Sequence, residues 1–279
     1  YFKVKDFQVV NGCQTSNILY SNKDRIDQVN TFVPLKLIVT DNQDVINDII
    51  KATNRQTEVK TEAFESLKEF HKKLQIFYDS FPKETKLYYE RRPREYDTVF
   101  PPIPRTKIIT LPAQINAVIS MFWNEPHSTH RYYGELLKAY SGKMFLEEHN
   151  PYVYYVSSMC LHKVDLLIKQ NFVPHHFRHY KYHLLTAFRI LVSGFNFPRF
   201  NSKDISKYCE AIHNKLLDEN ETRRILTLAT NCISKALVEF DKKSGKRNIN
   251  DYKRLKDFTF EVIEQAKKLD PIYHKPKQK

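Results

Sequence analysis

After Pro101-Pro102-Ile103-Pro104 the chain falls into a helical rhythm that lasts to about residue 269, and this run limits the fold more than any other feature. Leu111 to Trp123 sets the pattern. Ile115, Val118, Ile119 and Phe122 return every three or four positions, behind Thr110 as N-cap and Pro112 in the first turn. Further helices are predicted at about 153–170, 176–192, 203–217, 221–243 and 251–269, with Gly194, Pro198 and Gly245 at the breaks. Five glycines against 17 tyrosines and 19 phenylalanines fit a helix-rich chain with few tight turns.

The beginning reads differently. Phe7-Gln8-Val9-Val10 is a short strand, Asn11-Gly12 a sharp turn, and Thr15 to Tyr20 a helix opened by polar residues. Phe32 to Val39 is a second strand. Gln43 to Thr53 is an amphipathic helix with Val45, Ile46, Ile49 and Ile50 on one face and Asn54 able to cap it. A helix over Glu62 to Phe81 follows. The expected fold is α+β and predominantly α-helical: an α/β module with a helical extension at 1–104, then a basic helical bundle at 105–279. Opening at Tyr1 inside a strand-like pattern, the chain reads as part of a longer protein.

Basic residues outnumber acidic ones by 45 to 32, and the excess is uneven. Residues 175–279 hold 22 basic against 12 acidic residues, while 111–174 hold five of each. Such asymmetry points to a polyanionic partner, DNA or RNA. No apolar run spans a membrane and no signal peptide opens the chain, so a cytoplasmic setting is expected, with self-association left open. Cys13, Cys160, Cys209 and Cys232 are too scattered for a zinc site or a disulfide framework, and read as reduced thiols. Neither a metal nor a cofactor is called for in this fragment.

Several strings carry a resemblance. Phe7-Gln8-Val9-Val10-Asn11-Gly12-Cys13-Gln14-Thr15 resembles the (I/V)-V-N-G-x-Q-T signature of the AIPR family, the abortive-infection phage-resistance proteins. Ala52-Thr53-Asn54-Arg55-Gln56-Thr57 and Tyr88-Tyr89-Glu90-Arg91-Arg92 are similar to later elements of that family, as is Arg105 to Thr110. The resemblance covers about residues 1–170. It implies anti-phage defence, in partnership with an upstream part of the polypeptide that is often nuclease-like. Residues 1–60 are also distantly similar to the ParB and sulfiredoxin fold, where a glycine turn and helix start hold phosphate. By that likeness Asn11, Gly12, Gln14, Thr15, Asn54, Arg55 and Gln56 are candidate phosphate contacts. Thr15 stands where such sites usually carry Arg or His, which speaks against nucleotide hydrolysis.

Two further segments bear on chemistry. Tyr88, Tyr89, Arg91, Arg92 and Arg94 combine guanidinium groups for phosphates with rings for unpaired bases; the plainer reading is a surface turn with local Arg–Glu pairs. His175, His179 and His183 would share one face of a helix, but no Cys or carboxylate completes a metal set. Arg178 and His183 also form an R-x4-H string, similar to the ribonuclease motif of HEPN domains. They are the only catalytic candidates, in an alternative where this chain is a metal-independent ribonuclease. A protein-interaction module without nucleic acid is the other alternative.

Overall fold

The computed structural model describes residues 12–25, 30–40, 65–83, 85–244 and 249–269, with single positions at 42, 45, 46 and 49. The chain divides into two compact units, Tyr1–Thr61 and Glu62–Lys279. The expected strand at 7–10, most of the helix at 43–53 and the tail after Pro271 lie outside the described residues.

In the first unit, helix α1 spans Cys13–Ser21 behind Gly12, whose φ of 96° lies in the left-handed region that glycine adopts without strain. Residues 31–40 carry no strand pairing among the described residues, so the predicted strand at 32–39 is not seen there. A strand exists only through a ladder partner, and the other strand predicted in this region, 7–10, lies outside the described residues.

The second unit is helical around a very small sheet. Helix α2 (Glu69–Asp79) leads to β1 (Tyr88–Glu90), which pairs in parallel with β2 (Ile108–Thr110), Tyr89 opposite Ile109. Pro101–Pro104 lie within this unit, between the two strands. Helix α3 (Leu111–Phe122) begins as its cap predicts: Thr110 Oγ1 accepts from the Ala113 amide at 3.4 Å, and Pro112 needs no partner in the first turn. Helix α4 (Tyr133–Ala139) is short. Helix α5 (Pro151–Lys169) is capped by Asn150, whose Oδ1 accepts from the Tyr152 amide at 2.9 Å. Then come α6 (Lys181–Ser193), α7 (Asp204–Leu217), α8 (Glu219–Ser244), α9 (Ile249–Tyr252) and α10 (Lys256–Lys267).

Helix α6 is the hub, packing against α3, α5, α7, α8 and α10. Every residue from His183 to Leu191 is buried, as a helix covered on all sides requires. One of them is charged. The Arg189 guanidinium donates to the carbonyls of Met121, Gly194 and Phe195, to Tyr208 Oη and to Asn124 Oδ1, at 2.5–3.1 Å. No carboxylate is among these partners; five oxygens replace the water it lost. A second buried network joins α2, α3 and α5. Tyr78 donates to Gln114 Oε1 at 2.6 Å, Ser158 donates to the same oxygen, and Gln114 Nε2 reaches the Tyr154 carbonyl at 3.0 Å.

The helix expected at 176–192 is two elements: residues His175–Tyr180 form a 3-10 segment before α6. In that tighter coil positions three apart eclipse, which puts Phe177 and Tyr180 into the core together. The predicted shared face of His175, His179 and His183 is lost, because the first two are exposed and the third is buried.

Candidate nucleic-acid interface

Three separate segments of the second unit build one groove of about 500 Å³: the 3-10 turn Pro126–His130, the His175–Tyr180 segment with the start of α6, and Lys253-Arg254 after α9. Each is held by a buried anchor, namely Pro126, Phe177 with Tyr180, and Tyr252. Burying the anchors turns the neighbouring polar residues outward. His130, His175, Arg178, His179, Lys181, Lys253 and Arg254 line the groove, and no carboxylate does. Lys181 is shared with Asp165 at 3.1 Å. Arg178, Lys253 and Arg254 have no ion-pair partner among the described residues. Like charges converging on one concave surface focus a positive potential that an anion would relieve.

His183 borders the same groove but is only 1% exposed. Its Nε2 lies 3.2 Å from Thr259 Oγ1, and the ring packs between Tyr180 and Phe258. Burial holds its pKa down to about 3, so it stays neutral and is a poor base at neutral pH. Arg178 is exposed and carries no such restraint.

The Tyr88–Tyr96 segment is largely committed to the fold. Tyr89 is fully buried with its hydroxyl 2.7 Å from His71 Nδ1, and burial pushes its pKa well up. No face of that ring is open to a base. Arg91 donates to Gln75 Oε1 and to the Ser66 carbonyl, both at 3.3 Å. Glu95 accepts from the backbone amides of Arg91 and Arg92 at 3.0 and 3.1 Å, closing the turn. Tyr88 is half-buried, with Lys86 over its ring. Arg92 and Arg94 alone among the arginines here face solvent, Arg94 with a φ of 63°.

In the first unit Gly12 and Thr15 sit at the start of α1, and space around the Gly12 Cα is open. Gln14 is helical; its side chain, with Asn11, Asn54, Arg55 and Gln56, lies outside the described residues.

His130, Lys253 and Arg254 were not singled out from sequence. Each is an ordinary basic residue far along the chain from Arg178, and only the packing of α6 against α3, α8 and α10 unites them. The three thiols at Cys160, Cys209 and Cys232 are free and buried, and burial raises the pKa of each. Among the described residues no helix is long and apolar enough to cross a membrane, and no group of three His, Cys, Asp or Glu could hold a metal.

The family model described as AIPR protein matches residues 1–256. The match extends well past residue 170, where the recognisable strings end, and takes in all three segments of the groove. The chain belongs to the AIPR family, named for abortive-infection phage resistance. No curated protein and no solved structure matches it.

Proposed function

We propose that this member of the AIPR family takes part in abortive-infection defence by binding nucleic acid through the basic groove of its second unit. The carrying observation is the convergence of Arg178, Lys253 and Arg254 with three histidines on a concave surface that no carboxylate lines. A merely solvated basic surface intersperses Lys and Arg with Glu, as along α8, where Glu219, Glu221 and Glu239 pair with Arg223, Arg224 and Lys242. Arg92 and Arg94 extend the contact to phosphates outside the groove. The Gly12 turn, with Thr15 at the α1 N-terminus, is a further phosphate contact in this reading. Cutting or blocking phage nucleic acid falls to the nuclease-like part that the family resemblance implies.

Phosphate contacts release counterions, so affinity should fall steeply with salt. The test is a titration with single- and double-stranded DNA and RNA between low and physiological salt. Substituting Arg178→Ala and Arg254→Ala together should weaken binding to every sequence alike and flatten the salt slope by about 1–2. No binding to any of the four would sink the reading and leave a protein-interaction module as the better class.

A further inference from the structure

We propose that the groove takes a terminal phosphate, a phosphomonoester or oligophosphate, in preference to the phosphodiester backbone. This rests on the anion-binding reading of the same site and names its ligand.

A track for a backbone spreads cations along a surface, because each diester carries a single charge. Here Arg178, Lys253 and Arg254, without ion-pair partners among the described residues, line one space of about 500 Å³ with three exposed histidines, His130, His175 and His179, and with Lys181, which is shared with Asp165, beside them. That concentration exceeds what one diester can neutralise. A monoester carries about −1.5 to −2 charges near neutral pH and three terminal oxygens. Two guanidinium forks can each engage a pair of oxygens, which a pair of lysines cannot reproduce. The volume also falls in the range of pockets that enclose small ligands, about 300–1,000 Å³. Two sources supply the group, the end of a nucleic acid or a free nucleotide.

Competition binding with the whole chain at fixed salt separates them. One labelled oligonucleotide is compared with a 5′-phosphate, a 3′-phosphate and hydroxyl ends, and ATP and pyrophosphate are tested directly and as competitors. We expect a phosphorylated end to bind at least tenfold more tightly than the hydroxyl form. Arg178→Lys and Arg254→Lys, which keep the charge but remove the fork, should abolish that preference. Lys143→Ala, an exposed cation elsewhere, should leave it intact. Equal binding of phosphorylated and hydroxyl ends, reduced alike by the groove variants, overturns the inference while nucleic-acid binding stands. Binding of ATP or pyrophosphate without binding of any oligonucleotide keeps the inference and removes nucleic acid as the source. Binding of neither overturns both. Far-UV circular dichroism of the variants checks that both remain folded, as exposed arginines allow.

Discussion

The interior of the second unit and its basic groove use the same residue types under opposite rules. In the interior, Arg189 has five oxygen partners, His71 sits against Tyr89, and Gln114 is tied to Tyr78, Ser158 and the Tyr154 carbonyl. In the groove, Arg178 and Arg254 have no ion-pair partner among the described residues. Removing water from a polar group costs a few kcal/mol when no partner replaces it, so interior groups are mostly matched, with exceptions such as His213 Nε2. Groove cations remain solvated and can be left unmatched at little cost. Their lack of an ion-pair partner leaves them available, in the proposed function, to an external anion.

The two arginines differ most. Arg189→Met should lower stability by about 3 kcal/mol or more, because it strands several buried acceptors at once. Arg178→Met should change stability by under about 0.5 kcal/mol while weakening nucleic-acid binding. Urea denaturation of the pair decides it; equal costs would erase the distinction.

His183 is the next point of strain, since it borders the groove and obeys the interior's rule. His183→Ala should cost about 2 kcal/mol for the lost buried ring and leave nucleic-acid affinity unchanged. Metal-independent RNA cleavage by the unaltered chain, lost in this variant, would instead make His183 catalytic and favour the ribonuclease alternative.

Acid should separate the regions next. Burial holds His183 at about 3 and His213 at about 4. Both stay neutral in the folded chain but protonate in the unfolded chain below about pH 6.5. The unfolded state therefore binds more protons, and stability falls as pH drops from about 6.5 towards these folded values. Each ring that stays neutral contributes about 1.4 kcal/mol per pH unit within that window. Denaturation midpoints between pH 7 and 4 that show no decline would contradict the burial of both rings.

The smallest contrast lies within the Tyr88–Tyr96 turn. Arg91→Ala, losing its bonds to Gln75 and Ser66, should cost about 1 kcal/mol. Arg92→Ala should be silent in stability and reduce the salt slope of binding by about one. Thermal melts and salt titrations decide it; if the turn were wholly a surface element, Arg91→Ala would be as silent in stability as Arg92→Ala and would lower the salt slope in the same way.

What the sequence disclosed tracks what is local. Helix α3 was legible because Thr110, Pro112 and an apolar stripe lie within a dozen positions. The break at Gly194 was legible because a φ of 81° suits glycine. The split of the expected 176–192 helix was not legible, since it depends on where Phe177 and Tyr180 find a core. Composition located the basic third, but not which of its cations converge. Arg178 and Arg189 look alike in sequence, eleven positions apart, and only tertiary contacts tell the solvent-facing guanidinium from the sealed one. Tyr88-Tyr89-Glu90-Arg91-Arg92 was readable as a family element. Its pairing in parallel with residues 108–110 was not, because parallel partners carry no short-range signal.

Trp123 is the sole tryptophan among 17 tyrosines. It closes α3 half-buried between Tyr140 and Phe200, with ring centres 5.6 and 5.1 Å away, one residue before the Asn124 that receives Arg189. The molecule therefore carries a built-in optical reporter at the joint between α3 and α6. Light absorbed by neighbouring tyrosines passes to this one indole. A red shift of its emission signals water entering at that joint, before or after the rest of the bundle comes apart.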